Sequence, residues 1–224
     1  MGARHEFKHA LNHQDYLILR SRLRAVLEHD ENTNENDEYL VRSLYFDTPS
    51  DKALREKIDG VNNREKFRIR YYNGNPSFIR LEKKSKRNGL CYKASTRVDA
   101  DEARRIIEGD LDWMKGHGDP LLLELYAKMT GTLLRPRTIV DYIREPFIYR
   151  PGNVRITLDR QIRTGLSSTR FLDADVAMVS VGDTTALLEV KYDAFLPAFI
   201  QDLLQIGDRK AAAFSKYAAC RIYG

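Results

Sequence analysis

The sequence has only two cysteines, Cys91 and Cys220, among its 224 residues. Two thiols are too few for a zinc cluster or a disulfide framework, and such sparing use of cysteine favours a reducing compartment. No apolar run approaches the roughly 20 residues that a membrane-spanning helix needs, and the first residues are charged rather than signal-like. These absences predict a cytoplasmic protein without a membrane segment in this chain.

The chain also lacks the common sequence signatures of nucleotide binding and nucleophilic catalysis. It has no glycine-rich phosphate loop, so a nucleotide would be held through its phosphates and its base would be read poorly. It has no clear Ser-His-Asp or Cys-His set for covalent catalysis. Both absences are consistent with chemistry that rests on positioned charge.

The composition describes a globular chain with a modest excess of positive charge. Hydrophobic residues make up 42% of the sequence, which is enough for a real core. Lysine and arginine total 37 against 32 acidic residues, a formal charge of +5 that permits a polyanionic partner without requiring one. No internal repeat, low-complexity tract or clear linker interrupts the chain, so we expect one domain over residues 1–224.

The chain is organised around residues 66–71, Lys-Phe-Arg-Ile-Arg-Tyr. In an extended strand, Lys66, Arg68 and Arg70 share one face, and the apolar and aromatic residues between them share the other. Three cations in successive same-side positions repel one another unless an anion lies against them. The stretch therefore predicts a sheet with its charged face toward an anionic ligand and its apolar face under helices.

The same alternation recurs along the chain. It predicts further strands at residues 4–8, 39–47, 78–84, 90–98, 137–149, 154–159 and 187–192. Helical patterns and start signals lie at 12–29, 51–57, 99–107, 120–128, 197–206 and 211–219. At least five strands have a side rich in lysine or arginine, and Glu6, Glu82 and Glu189 are interspersed among these cations.

Two architectures account for these charged strand faces. A closed barrel would collect the charges in one lumen and turn the apolar faces toward outer helices. Arginine forks and lysines would then hold a multiply charged phosphate chain, and a glutamate could hold a bridging divalent ion. An open antiparallel sheet with a solvated basic face, suited to nucleic acid, fits the alternation equally well. The pattern alone does not choose between them.

Six short motifs, taken together and in order, resemble a known family. They are Glu6-x-Lys8, Ser43-Leu44-Tyr45-Phe46-Asp47, Arg68-x-Arg70, Glu82-x-Lys84, Glu189-x-Lys191 and Ser215-Lys216-Tyr217. The set is similar to the VTC domain, the polyphosphate polymerase domain of the triphosphate tunnel metalloenzymes in the CYTH-like superfamily. The resemblance implies an α+β fold in which helices pack around the outside of an antiparallel β-barrel tunnel.

The resemblance also implies an activity. A VTC domain uses Mn²⁺ or Mg²⁺ to transfer the terminal phosphoryl group of ATP, or another nucleoside triphosphate, to a growing inorganic polyphosphate chain. Pyrophosphate and triphosphate are expected ligands, and nucleic acid is not. Members of the family in eukaryotes carry membrane and accessory domains, so a membrane-associated partner is compatible with the resemblance.

Site residues are carried over position by position. Those that resemble the catalytic phosphate-binding lining are Arg68, Arg70, Lys84, Arg144, Arg155 and Lys191. Further expected phosphate ligands are Lys8, Lys93, Tyr142, Ser215 and Lys216. Glu189 resembles the glutamate that binds the metal.

One departure distinguishes this chain from the tunnel phosphohydrolases of the CYTH group. Their first strand resembles Glu-x-Glu-x-Lys, whereas this sequence has Arg4-x-Glu6-x-Lys8. A cation in place of the first carboxylate removes a metal ligand, and we expect it to add phosphate affinity. This disfavours a tunnel triphosphatase, but a non-catalytic polyphosphate-binding module remains an alternative.

Overall fold

The computed structural model describes residues 4–88, 90–182, 186–206 and 214–222. The strands are β1 (His5–Leu11), β2 (Glu28–His29), β3 (Tyr39–Asp47), β4 (Arg64–Tyr72), β5 (Asn75–Arg87), β6 (Leu90–Val98), β7 (Arg135–Tyr149), β8 (Val154–Thr164), β9 (Val179–Ser180) and β10 (Ala186–Tyr192). The α-helices are α1 (His13–Val26), α2 (Lys52–Ile58), α3 (Ala100–Glu108), α4 (Pro120–Gly131), α5 (Ala198–Leu203) and α6 (Lys216–Arg221).

All the strands in the described ranges belong to one antiparallel sheet. Its order is β1-β10-β8-β7-β3-β4-β5-β6, and the short strands β2 and β9 pair with β7 and β8. The sheet curls so strongly that Lys84 Nζ on β5 lies 3.8 Å from Glu6 Oε2 on β1. Side chains from strands at or next to the two edges of the sheet therefore meet across a concave face. This half-barrel, with α1, α3, α4 and α5 on its convex side, confirms the predicted α+β tunnel fold.

The hairpin between β4 and β5 fixes the register of β4, the strand that contains residues 66–71. Its two-residue turn, Asn73-Gly74, has positive φ at both positions (52° and 67°), which matches the twist of an antiparallel pair. Arg68 then lies opposite Glu82, and Arg70 lies opposite Arg80. The turn thus sets which charges meet across the sheet.

The convex face carries two apolar cores. Phe67 and Ile69 of β4 are buried there with Leu122 and Leu125 of α4. On the other half of the sheet, α1 and α5 cover β7, β8, β10 and β1. The predicted burial of the apolar face of residues 66–71 is confirmed, so the alternating charged residues must face the concave side.

The limits of some helices differ from the sequence prediction. Asn12 caps α1 as expected, since its Oδ1 accepts a hydrogen bond from the Asp15 amide at 2.8 Å. The helix ends at Val26, however, and Glu28–His29 instead pairs with β7. The predicted helix at 211–219 begins at Lys216, and residues 211–213 lie outside the described part. None of the described helices is long and apolar enough to cross a membrane.

Helix α1 is joined to the sheet through one buried carboxylate. Glu145 on β7 has a side chain only 1% exposed, and it lies 2.6 Å from Arg20 Nε and 2.5 Å from Arg24 Nε. His29 Nε2 lies 3.4 Å from the same carboxylate. This carboxylate therefore ties the first helix and β2 to the middle of the sheet.

We expect Glu145→Ala to lower the free energy of unfolding by about 2 kcal/mol, because it leaves two arginines without their buried partner. The value is below that of a fully buried pair since both arginines are about one-third exposed. Urea unfolding measures it, with the exposed Glu31→Ala as a control that should change stability by less than about 0.5 kcal/mol. Equal stabilities of the two variants would contradict this role of Glu145.

Candidate functional site

The concave face concentrates basic side chains from six strands and from α6. Its cations include Lys8, Lys66, Arg68, Arg70, Lys84, Lys93, Arg144, Lys191 and Lys216, and the acids among them are Glu6, Glu82, Asp159 and Glu189. Most of these cations are ordered by carboxylates, which divide the face into three clusters. The positive residues still outnumber the negative ones.

The first cluster surrounds Glu82 on β5, which is 1% exposed. Its carboxylate lies 2.6 Å from Arg68 Nη2, 2.5 Å from Lys93 Nζ and 3.8 Å from Arg70 Nη1. Burial raises the pKa of this carboxyl, but the attraction of Arg68, Arg70 and Lys93 outweighs it and holds the pKa far below the ordinary value. Glu82 is therefore a permanent anion that orients three predicted phosphate ligands.

The second cluster surrounds Asp159 on β8. Arg144 donates to its two oxygens from Nε at 2.6 Å and from Nη2 at 2.7 Å, and Lys216 Nζ of α6 lies 2.5 Å away. Asp159 is fully buried. Burial raises its pKa, whereas Arg144 and Lys216 lower it more strongly, to about 2. This carboxylate orients Arg144 and fixes α6 to the tunnel.

Tyr142 links the first two clusters. Arg70 Nη2 donates to its hydroxyl at 3.0 Å, while Lys216 Nζ lies 4.6 Å and the Arg144 guanidinium 5.3 Å from the centre of its ring. Burial raises the pKa of Tyr142 to about 12, although the nearby arginines oppose the shift. The neutral phenol therefore positions Arg70, and the ring packs against two other cations.

The third cluster combines two carboxylates with three lysines. Glu189 pairs with Lys191 and lies 3.6 Å from Lys8, and Lys8 is 2.8 Å from Glu6. Lys84 and Lys191 each approach Glu6 to 3.8 Å. Burial raises the pKa of Glu189, but the three lysines outweigh it and hold the pKa well below the usual value. Glu189 is thus ionised beside Glu6 in the middle of the basic face.

The residues present fit a divalent cation in one way. No group of three His, Cys, Asp or Glu side chains in the described ranges could enclose a metal ion by itself. Glu6 and Glu189 share Lys8 and Lys191 as partners, which brings two carboxylates to one place. Mg²⁺ is commonly held by one or two carboxylates together with substrate phosphates. The donor set therefore suits a metal that shares its coordination with a bound phosphate chain.

Three residues named from the sequence have other partners. Arg155 lies at one end of the tunnel, 2.7 Å from Asp30 and 3.1 Å from the Tyr39 hydroxyl, outside the three clusters. Ser215 is the N-cap of α6, and its hydroxyl accepts a hydrogen bond from the Ala218 amide at 3.3 Å. Arg4 pairs with Asp193 at 2.8 Å, outside the three clusters.

Two side chains that the predicted set omits also face the tunnel. Arg68 Nη1 donates to the Tyr45 hydroxyl at 2.9 Å, and Lys66 Nζ lies 5.6 Å from the Tyr45 ring. Burial raises the pKa of Tyr45, but the attraction of Arg68, Lys66 and Arg70 outweighs this effect and lowers the pKa to about 7. Burial lowers the pKa of Lys66 to about 8, and Lys8 and Arg68 act in the same direction. The alternation of residues 66–71 had already placed Lys66 on this face.

The pKa values of Tyr45 and Lys66 predict that anion binding depends on pH. Tyr45 gains a negative charge above a pKa of about 7 and Lys66 loses its positive charge above about 8, so rising pH removes positive charge from the tunnel. We expect the affinity for inorganic tripolyphosphate to fall about tenfold between pH 6.5 and pH 9. Calorimetric titrations across this range measure the effect.

The Tyr45→Phe variant separates the effect of titrating the Tyr45 phenol from the effect of titrating tripolyphosphate itself. It should lose less affinity over the same interval than the wild type, because only the protein's own phenol has been removed. The exposed Tyr92→Phe should behave like the wild type. Identical profiles for Tyr45→Phe and the wild type would contradict the assignment to Tyr45.

One end of the tunnel is packed by α6 and α2. The Tyr217 ring stacks on Tyr45 with centroids 5.1 Å apart, and its hydroxyl donates to Asp47 Oδ2 at 2.6 Å. Asp47 Oδ1 in turn accepts from the amides of Thr48 and Ala53, both at 2.8 Å. Strand β3, helix α2 and helix α6 are therefore joined by one buried carboxylate, which places Lys216 beside Asp159.

Comparisons with known proteins agree with this architecture. The family model described as the VTC domain matches residues 3–222. Two solved structures from Pyrococcus horikoshii OT3 share the fold with a TM-score of 0.51 each. The PH1819 protein is 13% identical and the match covers 96% of each chain, while the PH1012 protein is 12% identical with 95% of this chain and 96% of the other covered. No curated protein matches the sequence.

Proposed function

The chain belongs to the VTC domain family, and from this membership we propose that it is a polyphosphate polymerase. It transfers the terminal phosphoryl group of ATP, or of another nucleoside triphosphate, to the end of an inorganic polyphosphate chain. The reaction takes place on the concave face of the sheet. The geometry of this face supports the proposal through the placement of charged side chains and not through a catalytic triad.

The observation that carries the proposal is the convergence of basic side chains on one enclosed face. Arg68 and Arg144 are each held by a buried carboxylate, so their forks are ordered before any ligand binds. Ordered arginines bind phosphate oxygens in pairs, and lysines such as Lys84 and Lys191 add point charge. A polyphosphate chain is the ligand whose repeated charges would neutralise such a surface along its length.

Phosphoryl transfer demands positioning and charge neutralisation, and little covalent chemistry from the protein. The attacking group is a phosphate oxygen that is already ionised, so no general base is required. In the proposed reaction Arg68, Arg70 and Arg144 hold the non-bridging oxygens in line. Lys84 and Lys191 neutralise the charge that develops on the leaving group.

A divalent cation also belongs to the proposal. Glu189 and Glu6 would hold Mn²⁺ or Mg²⁺ jointly with phosphate oxygens, and the ion would supply further neutralisation of the triphosphate. The lysines that pair with these carboxylates would then contact the phosphates. This exchange of partners explains why five charged groups share one cluster.

The test is incubation of the purified protein with ATP and Mn²⁺, followed by gel analysis of chain length and by measurement of free orthophosphate. We expect long chains from the wild type, none above background from Glu189→Gln, and wild-type yield from the exposed control Glu31→Gln. Orthophosphate without chains would replace the proposal with a triphosphatase. Binding of polyphosphate without either product would replace it with a binding module.

A further inference from the structure

Three arginines form a row across β4, β5 and β6 on the concave face. Arg70 is the direct cross-strand partner of Arg80, and Arg80 is the direct partner of Arg97. Like charges in directly opposite positions destabilise a sheet. The row lies where β4 ends and β5 begins, away from the end packed by α2 and α6. We call this opening the arginine end of the tunnel.

In the part of the chain that the structure describes, Arg80 and Arg97 lack acidic partners like those of Arg68 and Arg144. Arg80 Nη1 approaches the Ser95 hydroxyl at 3.5 Å, and Arg97 Nη2 donates to the Ser77 carbonyl at 3.3 Å. Within the ranges that the structure describes, neither guanidinium forms an ion pair, whereas Arg68 and Arg144 each have a buried carboxylate. Arg80 and Arg97 therefore have charge and donors available for a ligand.

An exposed aromatic ring packs against both of these guanidinium groups. Phe78 is 39% exposed, and its ring centroid lies 4.8 Å from the Arg80 guanidinium carbon and 5.1 Å from that of Arg97. Phe78, Arg80 and Glu82 alternate along β5 and so share the concave face. A flat apolar ring beside two planar cations is the environment in which nucleic-acid bases stack.

We infer that Phe78, Arg80 and Arg97 form a nucleoside-binding subsite at the arginine end, where the base of the incoming nucleoside triphosphate stacks. The inference rests on the proposed function, because it names where the nucleotide end of that substrate lies. Glu82 lies four positions after Phe78, which is about 13 Å along an extended strand. The ribose and phosphates would occupy this interval, with the reacting phosphate among the arginines that Glu82 orients.

The opposite end of the β4–β5 pair differs in chemistry. A cavity of about 460 Å³ there is lined by Lys52, Arg64 and Lys86 among other polar and charged residues, and its lining contains no aromatic side chain. Such a surface suits phosphate but offers no ring to a base. The lining of this cavity therefore differs from the arginine end, which combines cations with an exposed ring. Stacking also tolerates any base, so ATP and GTP should bind with similar affinity.

The test compares ATP with inorganic tripolyphosphate by calorimetric titration without divalent metal, so that no turnover occurs. We expect Phe78→Ala to weaken ATP binding about tenfold and to change tripolyphosphate binding less than twofold. Phe78→Trp should retain ATP affinity because it keeps an aromatic ring. Tyr92→Ala is the matched control, since Tyr92 is 43% exposed on the same β5–β6 hairpin but faces outward, and it should change neither affinity.

The outcomes separate this inference from the function on which it rests. Equal weakening of both ligands, or no change in either, would overturn the subsite even if the wild type makes chains. Binding of tripolyphosphate but not of ATP by the wild type would overturn it as well. A selective loss of ATP affinity in Phe78→Ala, together with an absence of chain synthesis, would support the subsite and refute the polymerase.

Discussion

Arg70→Ala is expected to reduce chain synthesis from ATP at least about a hundredfold while leaving the fold intact. Arg70 is 5% exposed, its Nε donates to the Ser43 hydroxyl at 3.0 Å and its Nη2 to Tyr142 at 3.0 Å. These bonds fix its orientation, and it lies between the Glu82 cluster and the arginine end. Removing one preorganised donor to a developing oxyanion typically costs a factor of 10² to 10³.

The control for Arg70→Ala is Arg104→Ala, which removes the same charge from the exposed surface of α3. Its rate should stay within about twofold of the wild type, since exposed ion pairs contribute little. Thermal unfolding of both variants shows whether the proteins are folded. A folded Arg70→Ala protein with undiminished chain synthesis would contradict the placement of the reaction on this face.

Asp159→Asn is expected to have the largest effect on stability. The substitution leaves Arg144 and Lys216 buried without their shared carboxylate, and removal of one partner from a buried ion pair costs about 3–5 kcal/mol. For a chain of this size we expect the melting temperature to fall by about 10 °C. The loss should be smaller with ligand, because tripolyphosphate supplies the missing negative charge.

The stabilisation of Asp159→Asn by tripolyphosphate therefore distinguishes a salt bridge within a ligand-binding site from a purely structural buried salt bridge. At equal tripolyphosphate concentration, the rise in melting temperature should be larger for Asp159→Asn than for the wild type. The exposed Asp112→Asn should match the wild type in both measurements. A destabilised Asp159→Asn protein that gains no more from tripolyphosphate than the wild type would show that Arg144 and Lys216 do not contact the ligand.

The strands and their faces could be predicted because alternation is a local property of the chain. Strands at residues 39–47 and 90–98 match β3 and β6, and the apolar face of β4 is buried as expected. The end of α1 could not be predicted, since Glu28–His29 leaves the helical pattern to pair with β7, which is remote in sequence. Pairing with a distant strand overrides a local helical preference there.

The ion pairs within the tunnel could not be predicted from the sequence for a similar reason. Alternation places Arg144 and Asp159 on inward faces, but only the β7–β8 register makes them neighbours. Lys216 joins them because Tyr217 and Asp47 fix α6 against β3. The roles of Glu82 and Asp159 as orienting anions, and the approach of Arg97 to Phe78, arise from contacts between strands that no single segment reveals.

The most direct test of the central claim is a crystal structure of the protein with tripolyphosphate. We predict phosphate density on the concave face, within hydrogen-bond distance of Arg68, Arg70 and Lys191. Density confined to the outer cavity lined by Lys52, Arg64 and Lys86, or an empty concave face at saturating tripolyphosphate, would contradict it.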